Sequence, residues 1–94
     1  MDLRIPYRNL STAQEAYQLA TTIITPEYIA KWKVKAVVDM DNANKKITAS
    51  GKGFTLVLTF KEHAAEVNCD LSFLLKAFKG SILDAISDKL KKHI

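Results

Sequence analysis

The chain has 94 residues, 48% of them hydrophobic and 26% charged. That length suits one domain over residues 1–94, and the composition excludes a disordered tail and holds no apolar run long enough to span a bilayer. The net charge of +4 is uneven: the last 22 residues sum to +3, from Lys76, Lys79, Lys89, Lys91 and Lys92 against Asp84 and Asp88. A basic helix end can meet an anionic partner, but the same lysines also suit a solvated helix C-terminus. Cys69 is the only cysteine, so no internal disulfide forms, whereas secreted domains of this size usually carry several. The N-terminal stretch Asp2-Leu3-Arg4-Ile5-Pro6 holds no apolar core of signal-peptide length, and a cytoplasmic location is expected. So short a chain buries a small core, for which a homodimer is one remedy.

In chain order, residues 2–8 read as a short strand, with Leu3 and Ile5 alternating with Asp2 and Arg4 and Pro6 marking an edge or an end. Ser11 and Thr12 can each open a helix, with Gln14 and Glu15 as their capping-box partners. Ala13, Ala16, Tyr17, Ala20, Ile23 and Ile24 then form one apolar stripe. Thr25-Pro26-Glu27 interrupts it, and Pro26 suits the first position of a new turn carrying Tyr28, Ile29 and Trp32.

Four strands are predicted next, over 33–40, 45–50, 53–61 and 64–71. The first should turn Val34, Ala36, Val38 and Met40 to the core, and the second Ile47 and Ala49. The third, with Phe54, Leu56, Leu58 and Phe60, has the clearest period of two, and the fourth presents Ala65, Val67, Cys69 and Leu71. Asp41-Asn42-Ala43-Asn44, Gly51-Lys52-Gly53 and Lys61-Glu62-His63 are turns. Short connections imply an antiparallel meander, and the one-sided apolar pattern implies cover on one face only. The predicted fold is α+β, an antiparallel meander sheet packed on one face by two helices, in the order β-α-β-β-β-β-α.

The final helix is predicted over 72–93, capped by Asp70 or Ser72. Leu71, Leu74, Leu75, Phe78, Ile82, Ala85 and Ile86 form its core stripe. Phe73, Ala77 and Gly80 fall on the other side, with Lys76 beside them. This is the candidate interaction surface: small residues next to an aromatic one admit a close approach by a partner or a second copy. The alternative is that Phe73 folds back onto the preceding strand's loop.

The run from Leu71 to Ile82, Leu-Ser-Phe-Leu-Leu-Lys-Ala-Phe-Lys-Gly-Ser-Ile, resembles the C-terminal signature of the polyhydroxyalkanoic acid system proteins, small bacterial proteins associated with polyhydroxyalkanoate storage granules. Gly53 with its following strand, and Leu10-Ser11-Thr12-Ala13-Gln14-Glu15-Ala16, are similar to the family's glycine before a core strand and to the start of its first helix. Ser72 departs from the family's usual glycine, and Thr25-Pro26 within the 21–32 segment has no counterpart in it. The resemblance implies a non-enzymatic accessory or structural protein acting through helix surface contacts, with a polyester granule surface or a granule protein as partner.

Catalytic chemistry finds no footing in the residues. There is no phosphate-cradling loop, dinucleotide fingerprint or zinc-protease motif. His63 and Glu66, three apart on a strand-like segment, fall on opposite faces. Cys69 sits on the core face as a small hydrophobe, and His93 is read as part of a fraying tail. No catalytic, metal or cofactor-binding residue is assigned. Two other functions remain open. The basic C-terminal helix on such a fold resembles ribosome hibernation factors and other RNA-binding α+β domains, which makes nucleic acid an alternative partner. A one-sided sheet under a long helix could instead enclose a small apolar ligand.

Overall fold

The computed structural model describes residues 2–31, 35–73 and 75–94. Its strands are β1 (Leu3–Pro6), β2 (Val37–Asp41), β3 (Lys46–Gly51), β4 (Phe54–Phe60) and β5 (Ala64–Leu71). They form one antiparallel sheet in the order β1-β5-β4-β3-β2. The last four strands are the predicted meander, and β1 closes the sheet beside β5.

Strand register shows why one face is core. Leu3, Val67, Leu58 and Ile47 stand in one row across the sheet, and Cys69, Leu56, Ala49 and Val38 in the next. The opposite face carries Arg4, Glu66, Thr59 and Lys46 in one row and Asn68, Val57 and Thr48 in another. Along β4 buried and half-buried residues alternate without exception, as a sheet covered on one side requires.

The cover comes from α1 (Ala13–Ile23), the five-residue α2 (Pro26–Ala30) and α3 (Lys79–His93). Of the two capping registers the sequence offers, α1 uses Thr12 with Glu15: Glu15 N–H donates to Thr12 Oγ1 at 3.1 Å and Thr12 N–H to Glu15 Oε1 at 3.2 Å. Ala16, Tyr17 and Ala20 are buried, and Tyr17 meets Phe60 edge-on with ring centroids 6.2 Å apart. Thr25 caps α2, with Pro26 at its first position and Ile29 buried. The helices pack chiefly on β1, β4 and β5.

Several predicted boundaries move. The first strand is shorter, with Tyr7 past its end and its hydroxyl donating to the Lys61 carbonyl at 2.6 Å. The strand expected over 33–40 runs instead from Val37 to Asp41. Lys35 and Ala36 precede it, and the Lys35 carbonyl lies where a Cβ on Gly51 would have to go. Met40 was expected in the core but is 42% exposed, because β2 is the sheet edge farthest from the helices' main contacts. Trp32, Lys33, Val34 and Leu74, which were assigned to the α2 turn, the next strand and the core stripe, lie outside the described residues.

The turn after β2 is closed by Asp41, whose carboxylate accepts from Asn44 N–H at 3.1 Å and Asn44 Nδ2 at 2.7 Å. Its left-handed residue is Lys45, with φ of 52°. In the next turn Gly53 has φ of +73°, and a Cβ there would also sit 2.8 Å from Ser72 Oγ. Both conditions call for glycine.

The largest correction concerns the last helix. It does not begin at residue 72. Ser72 N–H bonds back to the Gly53 carbonyl at 2.8 Å, Leu75 N–H to Ser72 O at 3.0 Å and Phe78 N–H to Leu75 O at 2.9 Å. The last two, i to i+3 links, carry the chain through a 3₁₀ turn (Lys76–Phe78) before α3 starts at Lys79. Neither Asp70 nor Ser72 caps it; Phe78 stands at the cap position with no side-chain bond. The sheet-facing residues are accordingly Ile82, Ile86, Leu90 and Ile94, one ridge at intervals of four. Phe78, expected in the core stripe, is 57% exposed, while Leu75 and Ala85 are half-buried.

The chain end is also more ordered than a fraying tail. Ile94 is 1% exposed, and its carbonyl oxygen accepts from Arg8, Asn9 and Leu10 N–H at 2.7, 2.7 and 3.2 Å. His93 is the last residue of a helix pinned at its far side.

Candidate interaction surface

The segment between β5 and α3 leaves the sheet where β5 ends and must cross to the ridge that packs on β1 and β5. A continuous helix from residue 72 would have set Phe73, Ala77 and Gly80 on one face. The 3₁₀ turn dissolves that face, and what remains is a shared exposure. Phe73 is 92% exposed, and Lys76, Ala77 and Gly80 are exposed as well. Phe73 therefore does not fold back onto the strand.

Phe73 and Lys76 come together in one open groove of about 390 Å³, with Cys69, Asp70, Leu71 and Lys79. Ala77 and Gly80 lie outside its lining. A Cβ on Gly80 would find no atom within 4 Å among the described residues, so none of them packs there from outside its own helix turn.

Two residues missed in the sequence hold this region in place. Asp2, just ahead of β1, accepts from Cys69 N–H at 2.7 Å through Oδ2 and pairs with Lys79 Nζ at 3.0 Å through Oδ1. The Cys69 amide and then the Lys79 ammonium hold its carboxyl below the ordinary 3.8. Lys79 is raised in turn, first by its bond to Asp2. Asp2 and Lys79 are far apart in sequence, and they meet because β1 pairs with β5 and α3 packs on both. Among the described residues this is the sole ion pair, so Lys76 stands beside Phe73 as an uncompensated cation. Phe78 was missed as a surface residue because helical spacing assigned it inward.

Cys69 lines the groove yet is itself buried, and burial, first among its causes, pushes its thiol up. A neutral buried thiol is a poor nucleophile. His63 is exposed in the β4–β5 turn, and Glu66 lies within β5. Among the described residues no three His, Cys, Asp or Glu side chains gather as a metal site, and no helix is long and apolar enough to cross a membrane.

The arrangement suits contact more than reaction. Two phenylalanines within six residues forgo burial, which would contribute about 1.5–3 kcal/mol each. Exposed apolar groups beside a free lysine suit a boundary between water and apolar matter. No protein-family model matches the chain, and neither does a curated protein or a solved structure.

Proposed function

We propose that this chain is a non-enzymatic accessory protein of the polyhydroxyalkanoate granule system, and that it meets the granule surface, or a protein coating it, through residues 73–80. The observation that carries the reading is the exposure of Phe73 and Phe78, 92% and 57%, on the stretch that resembles the granule-associated family. In water such side chains are left unsatisfied; against a polyester or a coat protein they would be buried, with Lys76 kept at the wet rim. The anchoring of α3 by Asp2 and Lys79 keeps the segment presented.

The test is co-sedimentation of the purified chain with polyester granules. The parent should pellet with them, and Phe73→Ser with Phe78→Ser should stay in the supernatant with an unchanged far-UV spectrum. Full recovery of the parent in the supernatant defeats the proposal. Light scattering adds a second outcome: a dimer lost on Phe73→Glu would assign the same segment to a second copy of the chain. RNA or ribosome binding gains less support, since the open sheet face offers bases no aromatic ring among the described rows.

A further inference from the structure

The other end of α3 bears a second groove, of about 360 Å³, between the α1–α2 corner and the helix's last turns. It is lined by Thr22, Thr25, Tyr28, Lys31, Lys89 and His93, with Ile23 and Glu27. Three cationic or basic groups thus converge from two separate elements on one depression, with Glu27 the one carboxylate among the described residues of its wall.

The geometry centres on Tyr28. Its hydroxyl donates to the Ala85 carbonyl at 3.4 Å, which ties α2 to α3. Burial, and secondarily the Asp88 charge, push its phenol above the ordinary 10.0, so the ring is a neutral wall. Lys31 Nζ lies 5.9 Å from the ring centroid and Lys89 Nζ 5.7 Å. A ring face attracts a cation by about 0.5–1 kcal/mol at an exposed site. Both lysines line the same groove, and among the described residues neither has a carboxylate within ion-pair distance. An anion bound there would supply the missing counter-charge.

A directed donor is present too. Thr25 Oγ1 accepts Tyr28 N–H at 3.1 Å, and its own proton goes to no acceptor among the described residues. Thr22 differs, since its hydroxyl is committed to the Leu19 carbonyl at 2.7 Å.

We infer that this groove is a binding site for a small phosphate-bearing anion, held by the Lys31 and Lys89 ammonium groups and the Thr25 hydroxyl against the Tyr28 ring. A phosphate can take two cations and a hydroxyl donor at once. A polyanion such as RNA asks instead for a track of cations, and Lys91 and Lys92, which would extend one, lie outside the lining. The site is at the far end of α3 from Phe73, so it stands whether or not that segment meets a granule.

The experiment is a titration of ¹⁵N-labelled protein with inorganic phosphate and, separately, adenosine monophosphate, at ionic strength held constant with sodium chloride. Saturable shift changes should be confined to residues 22–31 and 85–94. Lys31→Gln and Lys89→Gln should each weaken binding about tenfold. Lys52→Gln, which removes the same charge from the exposed β3–β4 turn, should leave it unchanged. Equal affinity for both probes assigns recognition to the phosphate; tighter binding of the nucleotide adds a contact to its nucleoside. Changes that never saturate, or that fall as much in Lys52→Gln, overturn the site. So does binding of single-stranded RNA that is insensitive to Lys31→Gln and Lys89→Gln while phosphate does not saturate.

Discussion

At its start α3 has no side-chain cap, a glycine in its first turn and two exposed phenylalanines before and at its cap position. At its finish Ile86, Leu90 and Ile94 are fully buried, and the chain is fastened to the loop after β1 by three backbone hydrogen bonds. The first end carries a polar link, Asp2 to Lys79, beside a single buried residue, Ile82, and the second is held by apolar packing. One helix thus carries a stable half that anchors the fold and a loosely invested half free to present side chains. Binding segments are commonly drawn from such low-stability regions.

The sharpest way to break this comparison is to truncate one side chain at each end. Ile94→Ala should lower unfolding stability by about 2–5 kcal/mol in a denaturant titration, the usual range for a buried isoleucine. Phe78→Ala should shift it by no more than about 0.5 kcal/mol, as for exposed positions. Similar losses from both would show that the first half is packed in solution after all.

Gly80→Ala probes the first end from the opposite direction. With open space around the site, the methyl should raise stability by about 0.4–1 kcal/mol through helix propensity and a less flexible unfolded chain. If granule co-sedimentation falls while stability rises, the partner packs on Gly80. If binding is intact, Gly80 is outside the contact.

The smallest effect concerns pH. Asp2 is held below its ordinary value when folded, so its contribution is complete above about pH 4 and fades as pH falls through the lowered folded value. Lys79, raised in the fold, contributes fully below its ordinary value near 10.5 and loses that contribution as pH climbs through the raised one. Asp2→Asn should flatten the acid side of the stability profile measured by thermal unfolding from pH 2 to 7. Its effect should be larger at pH 7 than at pH 2. A variant that tracks the parent across that range would remove the Asp2–Lys79 link from the account of how the first end is held.

Where local chemistry and packing agree, the sequence was a reliable guide. Phe54, Leu56, Leu58 and Phe60 alternate because a half-covered sheet needs them to, and every one is buried. Thr12 with Glu15 and Thr25 with Pro26 open helices through contacts within three residues. The exposure of Phe73 was legible, since it fell off the core stripe. Phe78 was not, because the stripe was drawn on a helix assumed to start at residue 72, and a 3₁₀ turn displaces the register of everything before Lys79. Asp2 with Lys79, and Tyr28 with Lys89, carry no sequence signal at all, since each joins elements that meet only after the sheet and α3 have docked.

The sequence by itself determined the α+β class, the meander and its covered face, because periods of two and 3.6 residues are imposed by backbone geometry and read out directly as apolar positions. Only the tertiary structure decided where α3 begins, which of its phenylalanines reach solvent, and that Ile94 is a core residue. A helix start depends on where the preceding strand releases the chain and on what surface the helix must reach, and both are set by partners distant in sequence.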